Sequence, residues 1–420
     1  MRRKYKRGFA AMVLAAAMLC AFSGCKDDVT ELPEGTTLTP GVGDLQGGEQ
    51  AQGDDINKPV GTFTTYTEAA MLQKLVEARE LPAVEKRLPK SENVVIADRG
   101  TPGVYGEDVQ FATENADTLT GALVSEGLFC YAEDGTIAPN IAKSYTVNSD
   151  FTKYTINLRE GMRWSDGVLF TADDCIFFYE EMCLPETFGE ALWECFTVKN
   201  GSKTERAVLK KLDAYSFEVV FPASKPEFLG QLLERGGICF APEHYHVNLL
   251  PEYMGEDAAK AKATDMGYAS VAEMLRETVV KAWNTKGVPT LNPYVLSEEE
   301  GADDVKGNYY EFVRNPYYWK VDATGKQLPY MDRLGFTRIS DESQKMLLTT
   351  EGFLTVGLLT AEQVAEAQTG AERGAYKVIT WTDTSAYAVK NALKNFPESC
   401  PYEEKVRGVG AAHAECWYME

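Results

Sequence analysis

Three observations predict a mixed α/β protein with room for two or three domains. The chain has 420 residues, 44% of them hydrophobic and 11% aromatic, so a sizeable core is available. Tyr154, Ile156 and Leu158 alternate with Thr155, Asn157 and Arg159, and residues 212–221 repeat the pattern, which is the period of a half-buried strand. Residues 68–79 instead bring Met71, Leu72, Leu75 and Val76 to one face, the spacing of an amphipathic helix.

From the N-terminus, Arg2, Arg3, Lys4, Lys6 and Arg7 precede an apolar run over residues 9–19, the pattern of an export signal ending at residue 24. Phe22-Ser23-Gly24-Cys25 resembles a bacterial lipobox, in which the thiol carries the lipid as a thioether. A plain secretory signal with an incidental cysteine is the alternative. Cys20 does not compete, because Met18 and Leu19 before it are too large for the peptidase. No later stretch approaches the ~20 apolar residues of a membrane span. Residues 25–62 are rich in Gly, Thr, Asp, Glu and Gln and read as a flexible tether. Gly41-Val42-Gly43 lacks the strand and helix that a nucleotide loop needs.

Residues 63–92 read as a helix followed by an extended leader, with Pro82 and Pro89 favouring extended backbone before them. A buried strand is expected over 93–97, a loop over 100–103 and a helix over 123–129. In the run 154–174, Gly161 and Ser165-Asp166-Gly167 reverse the chain after the strand. Thr171 is a good N-cap for a helix opening with Ala172, Asp173 and Asp174, whose carboxylates suit its first turn.

That run, with Tyr154, Leu158, Arg159, Gly161, Trp164, Asp166, Gly167, Thr171, Ala172 and Asp173 in order, resembles the signature of the family 5 extracellular solute-binding proteins. Further matches are residues 133–145, Asn292-Pro293-Tyr294, Asn315-Pro316-Tyr317-Tyr318-Trp319 and residues 327–334, spanning about 93–390. Residues 81–89 resemble a leader found in one branch of that family. The resemblance implies a bilobal periplasmic-binding-protein-like α/β fold. Its first lobe would take residues 91–125 and 213–356, an inserted lobe 126–212, and a second ligand-binding lobe 357–420, cut short. Residues 94–97 would then share a sheet with 217–221. It further implies capture of oligopeptides outside the cytoplasm, at the cell surface or in the periplasm, for an ABC permease. The membrane would be reached through the lipid anchor only, with no cofactor. Oligosaccharides, nickel complexes and haem are the other solutes within the family. By family position, Thr101 and Tyr105 would face the ligand from one lobe and Trp381, Asp383 and Tyr387 from the other. The carboxylate that meets a peptide's amino terminus would lie beyond the recognisable sequence. The tail 391–420 matches nothing in that pattern, so a loosely packed fragment that binds poorly is a further reading.

The net charge of −21 opposes nucleic acid and anionic lipid surfaces, which need clustered Lys and Arg. No GxSxG, HExxH, P-loop or paired-cysteine zinc pattern occurs, so an extracellular hydrolase has neither nucleophile nor metal site to use. His244 and His246, following Cys239, could be drawn as a metal cluster, but the preceding Ala241-Pro242-Glu243 reads as a surface turn. Asp303-Asp304 and Glu298-Glu299-Glu300 read as solvated acidic segments without calcium-loop spacing. Of nine cysteines, most are expected as small buried apolar residues, with Cys183 and Cys195 close enough in sequence to bridge.

Overall fold

The computed structural model describes residues 51–53, 63, 65–97, 102–114, 124–132, 136–184, 193–298, 308–351, 353–354, 356–357, 363–374 and 378. The strands run in chain order as β1 (Ala51–Gly53), β2 (Val95–Ile96), β3 (Asp108–Thr113), β4 (Phe129–Tyr131) and β5 (Ile137–Pro139). Then come β6 (Ala142–Val147), β7 (Lys153–Leu158), β8 (Thr197–Asn200), β9 (Lys203–Arg206), β10 (Val208–Asp213) and β11 (Ser216–Val220). The last are β12 (Tyr294–Leu296), β13 (Tyr309–Arg314), β14 (Lys320–Val321), β15 (Arg333–Arg338) and β16 (Val356–Gly357). The helices begin with α1 (Ala70–Glu77), α2 (Val84–Arg87), α3 (Ala172–Phe177), α4 (Phe228–Glu234) and α5 (Glu243–His246). They continue with α6 (Pro251–Met254), α7 (Glu256–Asp265), α8 (Val271–Val280), α9 (Glu342–Thr350) and α10 (Val364–Gly374).

One sheet has the order β1-β6-β7-β11-β10 and is antiparallel throughout. Its register sets Phe217 opposite Ile156 and Val219 opposite Tyr154, so the apolar residues of both strands share the buried face. The turn between β6 and β7 is closed by Asn148, whose Oδ1 accepts from the N–H groups of Thr152 (3.0 Å) and Lys153 (2.8 Å). The second sheet, β12-β13-β15-β3-β16, is antiparallel at its β12 end and parallel among β15, β3 and β16. A single buried cluster runs from Val109 and Phe111 through Ile156 and Phe217 to Phe312 and Phe336, joining both sheets.

Several expectations are corrected. Residues 94–97 do not join the sheet of 217–221: β2 pairs in parallel with β14 instead, Val95 opposite Lys320. Val94 packs with Val84, Leu88 and the distant Val321 in a small separate cluster, which holds the segment beside β14. The boundary expected at 212/213 falls inside the β10–β11 hairpin, and β11 pairs with β7, so strands assigned to two lobes form one ladder. The tether is not structureless throughout, since Ala51–Gly53 adds to β6, whose open edge supplies backbone partners to any extended segment. The leader contains the helical turn α2, bent back by Arg87, whose Nε donates to Pro82 O at 2.9 Å. Residues 125–128 are not helical, and Phe129–Tyr131 pairs with β5 because Phe129 and Cys130 are buried on that hairpin. Cys183 and Cys195 are free thiols, each buried in the aromatic core rather than bridged. The tail 391–420 lies outside the described residues.

Candidate functional site

The run 154–174 builds a rigid corner. Tyr154, Leu158, Trp164 and Ala172 are buried, and the Tyr154 hydroxyl donates to Lys225 O at 2.6 Å. Arg159 is buried, its Nε donating to Asn140 O at 2.9 Å. Gly161 and Gly167 hold φ of +91° and +92°, and a Cβ on Gly167 would sit 2.8 Å from the Tyr317 ring. Asp166 accepts from Val168 N–H at 3.1 Å and faces His244 Nε2 at 2.7 Å. Thr171 caps α3, accepting from Asp173 N–H at 3.2 Å, while Asp174 Oδ2 accepts from Thr171 N–H at 2.9 Å. The exposed Asp173 pairs with Lys211 at 2.6 Å.

Two titratable groups under this corner are shifted by burial. Asp174 also accepts from Glu243 N–H at 3.1 Å, and burial pushes its carboxyl up to about 6 against the help of those hydrogen bonds. His246, expected on a surface turn, is instead wholly buried. Its Nδ1 donates to Pro242 O at 3.0 Å and its Nε2 lies 3.2 Å from Thr278 Oγ1. Burial lowers it to about 4, so the ring is neutral at pH 7. His244 stays at the partly exposed rim, so the two histidines do not converge. Among the described residues no group of three or more His, Cys, Asp or Glu side chains is arranged to hold a metal ion.

Beside this corner lies a cleft of about 620 Å³, within the range of small-ligand sites. Its walls are the 165–166 turn, the segment 282–290 and the edge of β12. Ser165 straps the first two together: its N–H donates to Thr290 O (2.9 Å) and its Oγ accepts from Thr290 N–H (3.0 Å). Trp283, Val288, Pro289 and Leu296 give the cleft apolar wall, with Asp166 and Glu298 as its acids.

Of the five residues expected to meet ligand, Thr101, Trp381, Asp383 and Tyr387 lie outside the described residues, as does Cys25. Tyr105 is described and is half-buried. Its hydroxyl lies within hydrogen-bond distance of the carbonyls of Thr67 (3.0 Å) and Gln327 (2.9 Å). Arg314 sits over its ring at 5.2 Å, and burial raises its phenol. Its polar end is therefore engaged in tying the leader to residue 327.

A buried polar hub was not foreseen from sequence. Glu126 accepts from Asn140 Nδ2 (2.6 Å) and Tyr318 OH (2.6 Å), and pairs with Lys320 Nζ at 3.3 Å. Its N–H donates to Asn292 Oδ1 at 2.9 Å. The only available signal was a lone acid and a lone lysine within apolar stretches.

The family model described as "Bacterial extracellular solute-binding proteins, family 5 Middle" matches residues 136–393. The periplasmic alpha-galactoside-binding protein of Rhizobium meliloti (strain 1021) is 31% identical over 298 residues, covering 63% of this chain and 38% of that protein. The dipeptide-binding protein of Lactococcus lactis subsp. cremoris is 34% identical over 267 residues, covering 63% of this chain and 43% of its own length. A solved oligopeptide-binding protein OppA shares the fold with a TM-score of 0.64 at 24% identity, over 76% of this chain and 49% of that one. MelB of Agrobacterium fabrum, solved with stachyose, gives 0.52 at 22% identity, over 77% of this chain and 50% of that one. The chain thus spans about half the length of these relatives or less. On the match over residues 136–393, which is more than half of it, the chain belongs to the bacterial extracellular solute-binding proteins of family 5.

Proposed function

We propose that the protein captures oligopeptides outside the cytoplasm and delivers them to an ABC permease, held at the membrane by a lipid on Cys25. The observation that carries the reading is the family match over residues 136–393. The choice of peptides is supported by the dipeptide-binding relative at 34% identity, and by the way extended peptides exploit strand edges through their own backbone. The permease would dock on the closed form, since only closure reports a captured solute. No turnover is expected, because the function is reversible binding. Calorimetry of the purified chain with a mixed peptide library tests the solute: heat with peptides supports the reading, and silence refutes it. An oligosaccharide is the second reading, favoured by the alpha-galactoside-binding relative at 31% identity; heat with α-galactosides alone would establish it. Replacing Cys25 with Ala should release the protein from the membrane fraction, and continued retention would refute the anchor.

A further inference from the structure

Residues 102–107, in the loop that family position turns toward solute, form neither helix nor strand. They are held by bonds to other segments. Gly106 N–H donates to Tyr330 O (3.1 Å), Glu107 O accepts from Asp332 N–H (3.0 Å) and Gly103 O accepts from Lys326 Nζ (2.8 Å). The Tyr105 ring meets Tyr330 edge-on at 6.0 Å, and its hydroxyl lies 2.9 Å from Gln327 O and 3.0 Å from Thr67 O. A hydroxyl has one proton, so it donates to one of these carbonyls at a time. One of the two belongs to the leader.

The leader also fixes the other. Thr67 N–H donates to Gly325 O (3.1 Å) and Thr67 O accepts from Gln327 N–H (2.8 Å), a bridge alongside Lys326. Gly325 holds φ of +82°, and a Cβ there would come 3.1 Å from the Phe63 ring and 3.2 Å from Thr65 O, so the leader lies close against it. The wholly buried Arg87 donates from Nη1 to Gln327 Oε1 at 2.9 Å and pairs with Glu68. Gln327 thus has its N–H and its Oε1 taken by the leader, while its C=O faces Tyr105. We infer, resting on the capture reading above, that the leader is a strap that sets the 102–107 loop for solute, with Tyr105 as the positioning residue that joins them. With the strap seated, the hydroxyl has an acceptor on either side and the loop keeps one conformation. With the strap lifted, the loop populates others, and affinity falls by the fraction that stays competent. The coupling is reciprocal, so a solute that binds the set loop must favour the seated strap by the same factor. A leader that only added stability would show no such reciprocity.

The test is hydrogen exchange of the 420-residue chain, read on fragments covering 65–88 and 102–107, with and without an excess of the mixed peptide library. The library should slow both fragments together. Tyr105→Phe removes the hydroxyl and keeps the ring. Without peptides it should speed exchange of 102–107 by about two- to tenfold, the value of one hydrogen bond. With the library it should leave 65–88 unprotected. Thr67→Pro deletes the N–H bonded to Gly325 O and should speed 102–107 by a similar factor, although that loop keeps its sequence. If Thr67→Pro does not fold, the wild type and Tyr105→Phe still decide. Protection of 102–107 alone in the wild type would overturn the strap and leave peptide capture standing, as would undiminished protection of 65–88 in Tyr105→Phe. Protection of neither fragment would overturn both.

Discussion

Lowering the pH from 7 to 4 acts on two buried groups in opposite directions. His246 is held at about 4 in the folded protein against an ordinary value of 6.5. The unfolded chain therefore takes up a proton first, and the stability that neutral His246 contributes above pH 6.5 is lost as pH falls toward 4. At about 1.4 kcal/mol per unit, that loss is roughly 3 kcal/mol over the whole window. Asp174 runs the other way. Its folded value of about 6 exceeds the ordinary 3.8, so the folded state takes up the proton first and gains stability as pH falls between them. That gain is also roughly 3 kcal/mol, so the two slopes nearly cancel between pH 6 and 4. Each substitution should expose the other group. Asp174→Asn should make the protein lose roughly 3 kcal/mol more than wild type on going from pH 6.5 to 4. His246→Gln should make it gain relative to wild type over pH 6 to 4. Urea unfolding at half-unit pH steps reads both, as slopes against pH rather than as absolute stabilities. If both variants keep the wild-type slope, the burial argument for these groups is wrong.

Further outcomes follow from the same geometry. Lys320→Met should cost about 3–5 kcal/mol in urea unfolding, because Glu126 is left buried without its cation; a loss below about 1 kcal/mol would refute the hub's importance. Gly167→Ala should cost about 1–3 kcal/mol, from φ of +92° and the approach to Tyr317. Adding Tyr317→Ala should recover the steric share only, and full recovery would show that backbone conformation is not limiting. Cys183, Cys195 and Cys239 are buried, and burial pushes Cys195 up to about 12. A maleimide at pH 7.5 should therefore leave them unlabelled until the protein unfolds, and rapid labelling of the native state would contradict that burial.

Local features were readable because their causes are local. The alternation at Tyr154, Ile156 and Leu158 gave β7, and Thr171 followed by Asp174 gave the capped start of α3. Partner choice was not readable. Nothing in Val95–Ile96 says that it pairs with Lys320–Val321 rather than with a longer strand, since a two-residue strand carries almost no pattern. Ala51–Gly53 could not be foreseen, because an edge strand bonded only through its backbone leaves no side-chain signature. The turn at α2 escaped because Arg87 holds it through Gln327 and Pro316, residues far along the chain. His246 was misplaced for a similar reason: besides Pro242 O of its own turn, its ring meets Thr278 on α8, a residue far along the chain. The cleft was unreadable too, being formed by three segments that sequence gives no reason to join.

The two sheets differ in when they can form. Every neighbour pair from β6 through β10 closes within residues 142–220, so that part of the ladder is complete early in synthesis. The second sheet has β3 at its interior, and its partners β15 and β16 begin at Arg333 and Val356. The leader waits as long, since Arg87 meets Gln327 across 240 positions. A growing chain therefore holds β3, with Val109 and Phe111 on it, unpaired until Arg333–Arg338 has been made. During that interval the strand is an open template for the wrong partner, and whatever shields it governs yield more than final stability does.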